Sequence, residues 1–329
     1  MQSIGINDFT YYNYPTGLTV SPDGKHGAIA VVNANEENNC YDSCLWLYDM
    51  ADGSCRKLTS GKKERNFIWL DGETILFTSD REKRHEAEIK KGEDWTSFYR
   101  ISIYGGEAEF AFDLPYKVQK MKLAGNRLVM TVKYDYQKPD FAHMTEEEKK
   151  EAYKSWEEEK DYEVFDELPF WANGQGIVNK KRTRLAVCDL ETKEVRIVSP
   201  DYENVEGFWV EGGGQVLYIS NLYTDKKDVY QGLKLYTISS GKLETVVEQK
   251  DMSIDYACIL KGKVTFFGSY MKDYGFNEND KLYTVANGAV TLLSDYDDSI
   301  HDSICCDCKF NDGASAVHDE NYIYFIATL

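Results

Sequence analysis

The sequence predicts an all-β fold: a β-propeller of four-stranded antiparallel blades, with one helical insertion in the third blade. Three observations predict it. Short strand-like runs alternate with Gly-containing or polar turns along nearly the whole chain. These runs recur as paired hairpins at a spacing of about 45 to 50 residues, and four strands per unit at that period is the mark of propeller blades. Strand-forming aromatics are abundant, with 24 Tyr, 15 Phe and 6 Trp against only 6 Pro.

Each unit reads as an opening hairpin followed by a closing one. The openers are Gly17 to Val32, Asn66 to Asp80, Gln119 to Asp135, Glu206 to Asn221, Asp255 to Tyr270 and Cys308 to Leu329. The closers are Trp46 to Thr59, Phe98 to Phe112, Arg184 to Ser199, Lys234 to Val247 and Lys281 to Ser294. Pro22-Asp23-Gly24 is the clearest turn, and Gly212-Gly213-Gly214, lying between two strands, reads as a hairpin turn rather than a phosphate cradle. Alternation and β-branched content disfavour a helical solenoid, and a two-sheet sandwich would not repeat at this period. Six openers and five closers make about five and a half blades. Residues 1–329 are therefore expected to form one propeller domain, incomplete at its C-terminus, because a ring must close or leave an apolar edge unpaired.

The third unit is interrupted over about residues 137–181. Thr145 to Tyr162 (TEEEKKEAYKSWEEEKDY) reads as a helix, with Thr145 and Glu148 as a capping box and Ala152, Tyr153 and Trp156 on one face. Its acidic remainder reads as a solvated face. Asp161 to Arg184 then runs from acidic to aromatic and apolar, to Gly-rich, to basic. That order predicts an ordered apolar knuckle with charge beside it; the alternative is a plug between strands that binds nothing. Asp166 and Glu167 precede Leu168-Pro169-Phe170-Trp171. A carboxylate pair beside aromatic surface is suited to the ammonium of a peptide N-terminus, with Trp171 as an apolar wall. Equally, one carboxylate caps the local turn and the other is solvated.

Composition excludes several classes. A formal net charge of -18 repels a phosphate backbone, so nucleic acid is not an expected partner. No secretory signal is visible at the start, and no run approaches the roughly 18 apolar residues of a membrane span. A cytoplasmic protein without a membrane partner is expected, its eight Cys reduced. The G-x-S-x-G spacing of a hydrolase nucleophile does not occur: Ser54 and Ser269 follow Gly directly, and Ser315 has Gly313 before it but Val317 after it. His26, His85, His143, His301 and His318 are scattered without metal spacing. The groups Cys305, Cys306, Cys308 and Cys40, Cys44 fit no zinc pattern. No metal and no cofactor are expected, and a propeller enzyme with its own central site lacks any clustered His or acid set.

EVFDELPFWANGQG followed by KKRTRLAV, between Glu163 and Val187, and GLTVSPDGKHGAIAV followed by LWLYDMADGSCRKLT carry a family likeness. They resemble the prolyl oligopeptidase clan of serine peptidases, in particular the acylaminoacyl-peptidase and dipeptidyl-peptidase-like group. The SPDG and LY elements occur in many propellers, whereas the DELPFW run is more particular. The resemblance implies an N-terminal propeller, commonly seven-bladed, covering a C-terminal α/β-hydrolase domain that holds the catalytic Ser, Asp and His. No catalytic residue is carried over onto this chain. The implied role is that of an exopeptidase propeller that gates access for short peptides and contacts their N-termini, with Asp166, Glu167 and Trp171 as the substrate-binding candidates. Proteolysis would fall to a C-terminal hydrolase domain of the same polypeptide, and homo-oligomerisation is left open. The competing expectation is a stand-alone propeller that serves as a protein-binding scaffold.

Overall fold

A computed structural model describes residues 5–159, 161–300 and 316–327. It divides into two compact units, the first built from residues 5–123 and 140–159, the second from the remaining described residues.

In the first unit, β1 (Tyr14–Val20), β2 (His26–Asn35), β3 (Cys40–Asp49) and β4 (Cys55–Lys57) form an antiparallel sheet in sequential order. The β1–β2 turn is made by its own residues. The Ser21 hydroxyl donates to Asp23 at 2.6 Å, the same carboxylate accepts the Lys25 amide, and Gly24 takes φ 73°. The second sheet is β5 (Glu64–Trp69), β6 (Thr74–Ser79), β7 (Thr96–Ser102) and β8 (Glu109–Leu114), again in order. A short helix, α1 (Glu86–Lys90), lies between β6 and β7, and β9 (Lys117–Ala124) follows β8. One apolar cluster joins the two sheets face to face, with Ala28, Leu45 and Leu47 of the first against Phe77, Tyr99 and Ile101 of the second. This explains why β6 is buried almost continuously instead of alternately: both of its faces meet side chains.

The unit also contains α2 (Glu146–Glu159). The expected capping box is formed: the Thr145 amide donates to Glu148 at 2.7 Å, and the Glu148 amide donates back to the Thr145 hydroxyl at 3.3 Å. Ala152, Tyr153 and Trp156 are half-buried, as their spacing predicts, and so is Lys149. The expected helix runs on to Tyr162, but Asp161 and Tyr162 are not helical.

In the second unit, β10 (Arg127–Asp135) pairs with β13 (Lys181–Asp189) in unbroken register from Arg127↔Asp189 to Asp135↔Lys181, and β13 pairs with β14 (Val195–Ile197). The excursion between β10 and β13 therefore leaves and returns at one rung of a ladder. It carries a small hairpin, β11 (Trp171–Ala172) and β12 (Gly176–Ile177). The next sheet is β15 (Glu203–Glu211), β16 (Gln215–Leu222), β17 (Gly232–Thr237) and β18 (Lys242–Val247). After it come β19 (Ser253–Leu260), β20 (Lys263–Ser269), β21 (Lys281–Ala286) and β22 (Ala289–Ser294). A last hairpin pairs β23 (Ala316–His318) with β24 (Ile323–Phe325).

The Gly212–Gly214 segment is the tight link between β15 and β16, with Gly213 and Gly214 both at φ 72°. At Gly268 a Cβ would collide with the Ser253 carbonyl oxygen, opposite a register shift between Ile254 and Tyr256. Apolar clusters again link successive sheets: Val129 and Leu185 with Val216 and Tyr218, then Leu217 and Leu233 with Ala257 and Phe266. Fourth strands are the exposed edges, as in β4 and β22. Every expected opener and closer from Gly17 to Ser294 falls on two strands. The last opener lies partly outside the described residues, as do His301, Cys305, Cys306, Cys308 and Ser315.

Candidate functional site

The knuckle is held from beneath by a buried cation. Arg182, on β13, is 2% exposed, and its guanidinium meets five acceptors. Its Nε donates to the Tyr202 carbonyl at 3.0 Å; one terminal nitrogen donates to Glu167 and to the Lys181 carbonyl; the other donates to Glu167 and to the Tyr223 carbonyl. Five N–H groups with five partners leave no donor unsatisfied, which makes burial of the charge tolerable. The Glu167 carboxylate is equally buried and faces Arg182 in a two-pronged ion pair. Arg182 also lies over the Tyr223 ring at 3.7 Å. Burial chiefly pushes the Tyr223 phenol above its ordinary pKa, so it is neutral at physiological pH.

Further bonds fix the chain on either side. The Asn179 side chain is fully buried; it donates to the Val164 carbonyl at 2.8 Å and accepts from the Asp166 amide. Glu167 accepts the Lys180 amide at 3.2 Å. Leu168 pairs with residues 225–227 through two backbone bonds of 2.7 Å, its amide donating to Asp225 and its carbonyl accepting from Lys227. At the root of the excursion, burial raises the Asp135 carboxyl above its usual range, with Lys181 3.8 Å away acting in the opposite sense.

The three sequence candidates are thereby placed in different roles. Glu167 points inward and is committed to Arg182. Asp166 points outward, more than half exposed, with Lys180 Nζ at 3.4 Å. Trp171 is 60% exposed at the start of β11, and its ring lies across Gly176. The Phe165 and Phe170 rings lie against each other at a tilt, centroids 4.9 Å apart, and both are partly exposed. The carboxylates are therefore not presented as a pair; Asp166 and Lys180 form a mixed-charge rim beside an exposed aromatic surface. Arg182, Lys180, Asn179 and Tyr223 were not singled out by sequence. The KKRTR run signals a basic strand, but only packing reveals that Arg182 and Arg184, two apart on one face, both turn inward.

The other candidates make local contacts. His85 Nε2 lies 2.9 Å from Asp113, His143 Nδ1 lies 2.9 Å from Asp140, and His318 sits between the Tyr256 hydroxyl and Glu211. Cys40 and Cys55 are exposed free thiols, and Cys44 is a buried one. Among the described residues, no three His, Cys, Asp or Glu converge as a metal-ligand set, and no helix is long and apolar enough to cross a membrane.

Known structures extend this picture. An acylaminoacyl peptidase in complex with Z-Gly-Gly-Phe-chloromethyl ketone superposes with a TM-score of 0.65 at 17% identity, over 97% of this chain and 43% of that one. The β-propeller domain of the Trilobed protease from Pyrococcus furiosus superposes with a TM-score of 0.53 at 15% identity, over 98% of this chain and 79% of that one. The chain has the β-propeller fold. In sequence, an uncharacterized peptidase, YuxL, from Bacillus subtilis is 33% identical over 119 residues, which are 36% of this chain and 17% of that protein. No family model matches. The chain spans less than half the length of the acylaminoacyl peptidase it superposes on, and the stretch it shares with YuxL is 17% of that protein. These neighbours agree with the likeness read from the DELPFW and SPDG runs.

Proposed function

We propose that this chain is the propeller of a serine peptidase of the prolyl oligopeptidase clan, working with a hydrolase domain on the same polypeptide that carries out proteolysis. In this reading residues 1–329 belong to one propeller, which acts in the cytoplasm by exclusion: it keeps folded proteins from the active site and admits short peptides. The observation that carries the reading is the superposition of 97% of the chain on a peptidase of this kind. The knuckle would be the recognition surface, with Asp166 meeting a peptide ammonium beside Trp171 and Glu167 positioning Asp166 through Arg182.

Fluorophosphonate labelling, read by intact mass, tests the assignment on this chain alone and on the polypeptide that joins it to a hydrolase domain. Labelling confined to the joined protein is expected; labelling of this chain, or of neither, would overturn the reading. In the unlabelled joined protein, Asp166→Asn should raise KM for free-amino peptides about two- to fivefold, as for loss of an exposed ion pair, and leave blocked peptides unchanged. Equal effects on both substrates would remove Asp166 from recognition. The exposed Phe165, Phe170 and Trp171 also favour a second reading, a scaffold that binds another protein through the knuckle. That reading gains if neither preparation labels.

A further inference from the structure

The first unit contains a cavity of about 520 Å³, separate from the knuckle. Its walls are the start of β5, the end of β6, the α1 segment, the start of β7, and Lys117 with Val118. Its size falls within the roughly 300–1,000 Å³ of small-molecule sites. Four features of it point to one kind of occupant.

The first is charge. The whole chain carries 38 Lys and Arg against 56 Asp and Glu, yet six cationic residues line this cavity against four acidic ones. The second is which charges are already paired. Lys63 faces Asp80 at 3.9 Å, Lys83 and Lys90 share Glu86, and Arg84 is on Asp113 at 3.0 Å. Glu93 is taken by Lys149 at 3.2 Å, by the Tyr153 hydroxyl and by the Trp95 indole N–H at 2.9 Å. Arg65 and Lys117 are left with no carboxylate partner among the described residues.

The third is Ser79. It is 6% exposed and lines the cavity, and its hydroxyl has no hydrogen-bond partner among the described residues. A buried hydroxyl left unpaired is costly, and an occupant with polar oxygen would satisfy it. The fourth is a flat plate. The His85 and Trp95 rings stack with centroids 4.0 Å apart and 10° between planes, His85 fixed by Asp113 and Trp95 by Glu93. Glu93 is itself held in place by α2, and Gly92 beside it takes φ 106° under the Trp156 indole, where a Cβ would come within 2.8 Å. The plate is therefore oriented before any ligand arrives.

We propose that this cavity binds a small monoanion built on a planar apolar ring, of the class of aromatic carboxylates that includes a peptide's C-terminal aromatic residue. Arg65 and Lys117 take the carboxylate, Ser79 supplies a polar contact at the floor, and the ring lies on the Trp95–His85 plate. Two uncommitted cations suit a single carboxylate; a polyphosphate would need more and would be repelled by the chain's overall field. The site does not depend on the peptidase reading.

Calorimetric titration of the full chain with indole-3-acetate, and with neutral indole-3-acetamide as control, tests the proposal. The acid is expected to bind about tenfold or more tightly than the amide, the size of a charge-assisted contact. Arg65→Ala with Lys117→Ala should reduce acid binding by about the same factor, and Arg65→Lys with Lys117→Arg should restore most of it. Both side chains are exposed, so the variants are expected to fold, which circular dichroism checks. Trp95→Ala should weaken acid and amide alike. Three results would each overturn the site: no binding of the acid at up to ~10 mM, equal binding of acid and amide, or unchanged binding by the doubly neutralised variant.

Discussion

The sheets and the knuckle solve the problem of staying ordered in opposite ways. The sheets bury their apolar residues: Ile75, Leu217 and Phe266 are completely enclosed between neighbouring sheets. The knuckle leaves Phe165, Phe170 and Trp171 exposed and buries charge instead, Glu167 against Arg182. A segment only a few residues wide cannot build an apolar core of its own. A saturated guanidinium can fix its position without one, and its apolar side chains stay free for a partner.

The sharpest way to break this contrast is to remove one anchor of each kind. Glu167→Ala leaves a buried guanidinium with lost partners and should cost about 3–5 kcal/mol, comparable to the about 2–5 kcal/mol expected for Leu217→Ala in the sheets. Urea unfolding of both variants measures it. A loss below about 1 kcal/mol for Glu167→Ala would mean that the buried pair is not what holds the knuckle.

A smaller effect is expected where α2 grips the β6–β7 connection. Tyr153→Phe removes one hydrogen bond to the buried Glu93 and should cost about 1–2 kcal/mol, read by thermal melting together with hydrogen exchange of α2. Faster exchange confined to α2 and residues near Glu93 is the expected pattern, and uniform acceleration across the sheets would contradict a local clamp.

The smallest effect belongs to the β1–β2 turn. Bonds from the Ser21 hydroxyl and the Lys25 amide hold Asp23 down to about 2. A depressed carboxylate contributes stability above its unfolded pKa of about 3.9 and loses that contribution as pH falls through the folded value. Carboxyl titration by NMR should therefore show Asp23 still ionised at pH 3, and Ser21→Ala should move its midpoint upward. An unmoved midpoint would mean that the turn's side-chain bonds do not form in solution.

Much of the fold was legible because the blades obey local rules. Gly24, Gly213 and Gly214 stand where backbone with positive φ is required, and runs such as TILFTS and QVLYIS carry the apolar content of inner strands. The Thr145–Glu148 box was equally plain. The division of labour between Asp166 and Glu167 was not. Adjacent residues of an extended segment point to opposite sides, but which side is inside depends on Arg182, fifteen residues later, and on the Tyr202 and Tyr223 carbonyls. The cavity was invisible for the same reason: Arg65, Ser79, Trp95 and Lys117 meet only through tertiary packing, and their spacing follows no period.

The way Leu168 is stitched to residues 225–227 bears on how much sequence change the excursion can absorb. Its two limbs are moored separately, the incoming one by Leu168 and Glu167, the outgoing one by Lys181 in the β10–β13 ladder. The stretch between these moorings, Ala172 to Gly176, is an overhang that bears none of that load. Residues added there, or a chain break introduced there, would leave both limbs docked, so insertion at the tip should cost little fold stability.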